Sequence, residues 1–570
     1  MLHALLTWAH ANPAGYWLSA WLAFGACLVS AVWPPPAPDR GVRWNSPVIF
    51  GLVLCLFIVA FRWPPLGTNL QLLNPDESEL IASALAFRHY GTIWGHACDF
   101  TAGPLIALPL VLPSLLGLPF DYTSARALGL LLACVIAVSV WLILRHLHGD
   151  RWARLLTLPL ACWLAFTTYW DFVQYSTEPP ALACLLVAIW LLVTAWPKPA
   201  APVSRPRLVL GGFLLGLVPF AKLQIAPIGF VFGLWCLARV LDPATGPARA
   251  RLQAAACLLG GTVTAMAGVM LSLWWSKEMD FFWVYYVQGN VGYAAQPRQY
   301  PWLDFPRVLP WMASLDPAIA AYFKSNLLLL ATAVFFWPKL AGPARRYAIL
   351  GALLFLVAFL VIIAPGRVFT HYLQIGPPFL TLLVGALFGG WWAEAWLPAK
   401  WRNSALVLFL GVSLGAQVYT RATRDNSYLL NWSPEYEHPE TAAALRVKAF
   451  TRPGDTMTVW GWAPRYYVQT GLPQATREGF SWKQIEPGPQ YGYYHALYMA
   501  DLARNRPAIF LDAVSPGGFG YTNRLTQGHE ANADVRDFVA ANYALVDEIE
   551  DVRIYVRRDR LAALTPPLQK

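Results

Sequence analysis

Charge is scarce in this sequence. Only 13% of its 570 residues are Asp, Glu, Lys or Arg, well short of the roughly 25% of an average soluble domain, which excludes an ordinary water-soluble protein. Patterned cysteine is missing as well. Of eight cysteines, seven (Cys27, Cys55, Cys134, Cys162, Cys184, Cys236 and Cys257) fall within apolar runs and only Cys98 lies in a loop. With no CxxC or Cys/His metal spacing they read as small core hydrophobes. No basic leader precedes the first apolar run, Tyr16 to Trp33, and WPPPAPDRGVR follows it, so the run reads as a retained helix and not as a cleaved signal. Internal repeats are absent, and the one biased segment is the linker PKPAAPVSRPR. The net charge of +10 does not point to nucleic acid, because Lys and Arg sit in short clusters between apolar runs, where positive loops orient helices.

What is present is apolar length. The chain is 57% hydrophobic with 28 Trp, and its apolar runs match the span of about 17 to 25 residues that a bilayer requires. They fall at 16–33, 47–62, 122–147, 154–170, 179–196, 208–221, 225–239, 252–275, 323–337, 346–364, 374–397 and 404–419. The fold class is therefore a polytopic α-helical membrane protein of about twelve transmembrane helices. The runs near 208 and 225 are short and separated by Pro219 and Lys222, as in a broken hairpin. The run from Leu105 to Phe120 holds Pro109 and Pro113 and reads as an interfacial or half-inserted helix.

One set of loops carries Arg40/Arg43, Arg145/Arg151/Arg154, Lys198/Arg205/Arg207, Arg239/Arg249/Arg251, Lys339/Arg345/Arg346 and Lys400/Arg402, and the positive-inside rule makes these cytoplasmic. The alternate loops then face outward with most of the carboxylates, from Asp76 and Glu77 to Asp304 and Asp316. This predicts a multi-pass protein of the cell (inner) membrane with its chemistry on the outer face.

From about residue 420 the long apolar runs stop. Residues 1–419 are read as the membrane domain, with an outer loop at 64–121, and 420–570 as an extracytoplasmic α/β domain. In that domain the pattern predicts strands at Thr456–Trp460, Ala508–Val514, Ala544–Glu548 and Val552–Arg557, and a helix near Ala533–Ala541.

The most acid-rich stretch is NPDESELIASALAFRHYGTIWGHACDFTAGP, from Asn74 to Pro104. Asp76 and Glu77 follow Pro75 at a helix start, where acids complement the helix dipole. Adjacent carboxylates at a water–lipid boundary also supply a general base with a partner, or ligands for a divalent cation. The residues leave both roles open. Asp171 and Glu178 bracket the next outer loop, where Glu178 precedes Pro179-Pro180 and helix capping is again an alternative. PGRVFTHYLQIGPP brings Arg367, His371, Tyr372 and Gln374 to one outer loop, a set able to grip a phosphate. Lys222, in VPFAKLQIAP, sits between two short apolar segments with few ways to be solvated except a polar cavity.

In this order Asp76-Glu77, Asp99 ahead of Gly103-Pro104-Leu105, Arg126 opening the next span, Glu178, GFLLGLVPFAKLQ with Lys222, RVFTHYLQIGPP and TVWGWAPRYYVQTGLPQATRE run through most of the chain. The arrangement resembles the GT-C superfamily of membrane glycosyltransferases. In particular it is similar to the family-39-like bacterial enzymes, which include the lipid A aminoarabinose transferases and are related to protein O-mannosyltransferases. The resemblance implies an inverting transfer of a sugar from a polyprenyl-phosphate donor to an acceptor hydroxyl of a lipid, glycan or protein. Asp76 would be the base, with Glu77, Asp99 and Glu178 beside it in the catalytic pocket. Lys222, Arg126 and Arg367, with His371 and Tyr372, are the candidates for the donor phosphate. No cofactor is demanded, and a divalent cation is the one left open. The chain departs from the pattern at Ala102-Gly103-Pro104, where relatives often carry Lys-Pro or Pro-Pro, and in a span ahead of the usual first helix. The rival reading is a transporter or flippase of lipid-linked glycans. It lacks support from paired, Gly/Pro-interrupted segments at matching places in two halves.

Overall fold

In a computed structural model the described residues are 8–9, 11–33, 45–68, 75–97, 102–196, 203–335, 337, 340, 342–393, 398–424, 440–488 and 490–564. The chain divides into two compact units. The first comprises Met1–Asn69, Arg126–Ser272 and Val291–Pro434, and the second Leu70–Ala125, Leu273–Asn290 and Glu435–Lys570.

The first unit is helical. Across the described residues, Pro13–Val32, Tyr122–His148, Leu223–Leu241, Ala248–Trp275, Ala344–Ile363 and Thr370–Phe388 are long and apolar enough to cross a membrane. Pro47–Trp63, Pro104–Leu115, Glu178–Val193 and Pro317–Ala331 are shorter apolar helices. Six helices thus meet the length criterion where the hydropathy of the sequence suggests about twelve. Thr370–Phe388 is buried along its whole length, so the other helices of this unit enclose it.

Glycine sets a close helix crossing. A Cβ on Gly212 would lie 2.2 Å from the Leu258 carbonyl oxygen, and one on Gly261 would lie 2.1 Å from that of Val209. The helices Arg205–Ala221 and Ala248–Trp275 therefore meet backbone to backbone, the packing that small residues permit where lipid supplies no hydrophobic driving force between helices. The Thr262 hydroxyl donates to the Gly212 carbonyl across this seam at 3.0 Å.

One cation grouped with the cytoplasmic loops has a different role. Arg154 is fully buried, donates to the carbonyls of Ser30 (2.9 Å) and Asn45 (3.0 Å), and pairs with Asp150 at 2.6 Å. It ties Ser30, near the end of the first helix, to Asn45, just ahead of the second, because five fixed guanidinium donors can satisfy several buried acceptors at once.

The second unit holds the sheet. Strands β1 (Met457–Trp460), β2 (Ile509–Asp512), β3 (Tyr543–Ile549) and β4 (Val552–Arg557) lie in the order β1-β2-β4-β3. β1 and β2 are parallel, with Met457 opposite Ile509, while β4 is antiparallel to both β2 and β3. The four strands and the Ala533–Asn542 helix fall where the sequence places them. Period-2 alternation sends Met457, Val459, Ile509, Leu511, Ile554 and Val556 to one face, and Trp460, Phe510 and Tyr555 to the other.

Each face is covered by helix. Tyr498 and Leu502 of Tyr491–Asn505 and Val535 and Val539 of Ala533–Asn542 cover the aromatic face. The aliphatic face takes Ala443, Ala444 and Val447, Tyr466 and Tyr467, and also Ala82 from the distant helix Pro75–Tyr90. The acid-bearing helix thus belongs to the core of the sheet domain. Its tail is held there too: the Gly95 N–H donates to Glu278 at 2.7 Å, Trp94 packs edge-on against Phe282, and Gln474 donates to the His96 carbonyl at 3.1 Å. The run expected to lie at the interface is the helix Pro104–Leu115, whose Leu112 and Leu115, with the following Leu116 and Leu118, are exposed.

Candidate active site

Seven of the sequence-selected residues, Asp171, Glu178, Lys222, Arg367, His371, Tyr372 and Gln374, converge in the first unit. Glu178 is the first residue of the helix Glu178–Val193, started by Pro179 and Pro180. Lys222 ends the helix Arg205–Ala221, where Pro219 and an extended backbone at Lys222 itself break the run before a short 3-10 turn, Leu223–Ile225. The broken hairpin foreseen from sequence therefore exists, with the lysine at its break. A carboxylate at a helix start and an ammonium at a helix end each match the local dipole. The two form a buried ion pair, in which the Lys222 ammonium donates to Glu178 Oε1 and to the hydroxyl of Thr177. Glu178 is 0% exposed and Lys222 only 7%.

The loop after Gly366 brings the rest. His371 lies between two acids, with Nδ1 3.5 Å from Asp171 Oδ1 and Nε2 3.9 Å from Glu178 Oε1. The Tyr372 ring faces the Lys222 ammonium at 5.2 Å, a cation–π contact that desolvation strengthens. Tyr372 also meets the hydroxyl of Tyr293 at 3.4 Å. Arg367 stands with its guanidinium 5.2 Å from the Tyr293 ring and donates to Gln296 Oε1. Gln374 fixes the floor by donating to the Asp171 carbonyl and the Ser176 hydroxyl, each at 3.2 Å.

Three polar atoms in this cluster are buried without a hydrogen-bond partner among the described residues: Glu178 Oε2, Arg367 Nε and His371 Nδ1. An orphaned buried acceptor and donor are costly in a protein interior, and a ligand bearing both kinds of group would relieve them. Among the described residues no three His, Cys, Asp or Glu side chains are grouped to hold a metal ion.

The other selected residues lie elsewhere. Arg126 is fully buried in the first unit. Asp76 and Glu77 open the helix Pro75–Tyr90 of the second unit, Asp76 half-buried and Glu77 fully buried. The neighbouring Ser78 hydroxyl bonds that of Tyr122 at 2.8 Å, and Glu79 accepts from the indole N–H of Trp462. Asp99 falls outside the described residues. Sequence reasoning did not single out Thr177, Tyr293 or Gln296, since a lone hydroxyl, phenol or amide in a loop carries no signal until folding sets it beside a charge.

No protein-family model matches the chain, and no curated protein does. Solved structures do. ArnT from Cupriavidus metallidurans bound to undecaprenyl phosphate superposes with a TM-score of 0.56 at 14% identity, covering 91% of this chain and 99% of that one. The same protein in the apo state gives 0.52 at 14% identity, over 92% and 100%. The archaeal oligosaccharyltransferase AglB from Archaeoglobus fulgidus, in complex with an inhibitory peptide and a dolichol-phosphate, gives 0.42 at 10% identity, over 82% and 70%. With multiple apolar helices, a C-terminal sheet and near-complete coverage of both chains, this protein has the fold of ArnT from Cupriavidus metallidurans.

Proposed function

We propose that this protein is an inverting membrane glycosyltransferase that moves a sugar from a polyprenyl-phosphate donor to an acceptor hydroxyl. The observation that carries the reading is the buried cluster of Lys222, His371, Tyr372 and Arg367 around Glu178, in a fold whose solved relative holds undecaprenyl phosphate. A phosphate needs cations and hydrogen-bond donors at the membrane boundary, and few groups in such an apolar chain can supply them.

In this scheme the donor phosphate takes the Lys222 ammonium away from Glu178 and accepts from Arg367 and Tyr372. The acceptor O–H gives its proton to a carboxylate base, for which Asp76 is the candidate by family resemblance, with Glu77 and Asp99 as its sequence neighbours. The acceptor oxygen bonds to the anomeric carbon as the bond from that carbon to the phosphate oxygen breaks. Configuration inverts and polyprenyl phosphate leaves, its charge held by the cations. Arg126 is assigned to the same anionic ligand. No step requires a metal. The topology that suits this chemistry has about twelve spans in the inner membrane, with the positive loops in the cytoplasm and the C-terminal domain outside.

The test is product stoichiometry. Detergent-purified protein supplied with a polyprenyl-phosphate sugar and a cell-envelope acceptor fraction is expected to release one polyprenyl phosphate per sugar transferred, read by mass spectrometry. Movement of the intact lipid-linked sugar across a vesicle bilayer without release would replace this reading with that of a flippase.

A further inference from the structure

The C-terminal sheet domain contains a pocket that the transfer chemistry does not use. It has a volume of about 390 Å³ and opens between the helix Tyr491–Asn505 and the start of Ala533–Asn542, with Trp460, Gln484, Tyr491, His495, Asn532 and Asp534 on its walls. That volume lies within the 300 to 1,000 Å³ range of small-molecule sites.

The wall is organised. The rings of Tyr491 and His495 stack, with centroids 5.5 Å apart and planes 10° from parallel. Asn532 donates to the Tyr491 hydroxyl at 3.1 Å, and His495 Nε2 meets Asp534 Oδ2 at 3.0 Å. Those bonds leave the Tyr491 hydroxyl with a proton to donate and Asp534, on the rim, with a second acceptor oxygen. Gln484 is 2% exposed and gives its amide N–H to Glu478 at 2.9 Å, which directs its Oε1 elsewhere. That oxygen, like His495 Nδ1, is buried without a partner among the described residues. Among the described residues neither Lys nor Arg lines the pocket.

Aromatic faces beside amide and carboxylate acceptors, with no fixed cation, match one ligand chemistry. A pyranose presents an apolar C–H face to aromatic rings and vicinal hydroxyls to bidentate acceptors, whereas a phosphate or carboxylate would find no counter-charge here. An amino sugar would gain further from Asp534. We infer that this pocket is a carbohydrate-binding site for a neutral or amino-substituted sugar residue. Combined with the glycosyltransferase reading, on which this second step rests, it holds a sugar of the acceptor.

The experiment uses the full chain in detergent micelles and saturation-transfer NMR with methyl glucoside, N-acetylglucosamine and galactosamine, and with glucose 6-phosphate as the anionic control. The expected result is binding of at least one uncharged or amino sugar, weakened at least tenfold in Tyr491→Ala and in Gln484→Ala, with glucose 6-phosphate bound no better than its uncharged parent. Gln484 also supports Glu478, so Tyr491→Ala, at the solvent-facing start of its helix, keeps the test valid should Gln484→Ala fail to fold. No binding of any uncharged or amino sugar, equal binding by well-folded Tyr491→Ala, or preference for the phosphorylated sugar would overturn the site. Turnover separates the two readings. If transfer occurs, Tyr491→Ala should raise the acceptor KM at nearly constant kcat. If no transfer occurs but sugar binding depends on Tyr491, the pocket stands and the transferase reading falls.

Discussion

Lys222 and Glu178 neutralise each other in the interior of the first unit, one at the end of a helix and the other at the start of its neighbour. A buried pair of this kind is weak evidence for stability, because desolvation offsets the Coulomb attraction, but breaking it by removing one partner typically costs about 3 to 5 kcal/mol. Its presence makes the lysine structurally relevant even if its task is to hold a phosphate.

Lys222→Met should therefore destabilise the protein, leaving Glu178 buried and uncompensated. The double variant Lys222→Met/Glu178→Gln should recover most of that loss, while neither regains donor binding. Thermal unfolding with and without added polyprenyl phosphate distinguishes the roles, since a ligand that binds only the folded state raises the midpoint. Ligand stabilisation of the double variant equal to that of wild type would remove Lys222 from the phosphate site.

Asp76→Asn preserves size and helix-start hydrogen bonding but removes basicity. Turnover should fall by about two orders of magnitude or more, the usual contribution of a general base, with the unfolding midpoint nearly unchanged. Near-normal turnover by folded protein would assign Asp76 to helix capping.

Gly261 and Gly260 make a matched pair. A Cβ at Gly261 would collide with the Val209 carbonyl oxygen at 2.1 Å, whereas one at Gly260 meets nothing within 4 Å. Gly261→Val should cost at least the roughly 1 to 3 kcal/mol typical of overpacking, and Gly260→Val much less. Comparable loss in both, by thermal unfolding in detergent, would show that the close helix crossing does not limit stability.

Glu478 gives the sheet domain a pH dependence. Burial raises its carboxyl pKa from 4.5 to about 7, against hydrogen bonds from Tyr285 (2.6 Å) and Gln484 (2.9 Å) and the nearby Arg477, which favour the charged form. The folded state holds the proton more tightly than the unfolded chain, so this stability is fully present below pH 4.5 and is lost as pH rises through 7. The loss approaches about 3 kcal/mol at 1.36 kcal/mol per pKa unit. Amide hydrogen exchange of β1 and β2, corrected for intrinsic rates, should show declining protection from pH 5 to 8, and Glu478→Gln should flatten the decline. A wild-type profile already flat would mean that Glu478 ionises normally.

Sequence alone determined the parts of this protein that follow from local repetition. Apolar runs longer than a bilayer is thick must become helices because lipid offers no partner to an open backbone. Short β-prone apolar runs at Thr456–Trp460 and Ala508–Val514 marked strands before any pairing was known. The Pro-flanked starts at Pro75 and Glu178 and the break at Lys222 were equally local, and so was the shortage of cations that made Lys222 and Arg367 worth noticing.

Only the tertiary structure decided which groups meet. Glu79 reads in sequence as one more acid of the outer loop, yet it accepts from Trp462, 383 residues away. Ala82 of the same helix enters the sheet core, although nothing in the alanine or its neighbours says which apolar surface will cover it. Arg154 reads as one of several cytoplasmic charges until Ser30 and Asn45 present their carbonyls to it. Lys222 announced a need for compensation, but its choice of Glu178, Thr177 and the Tyr372 ring depended on three segments arriving together. Pairing of this kind is set by long-range packing, whose energy is shared among many weak contacts and leaves no periodic trace along the chain.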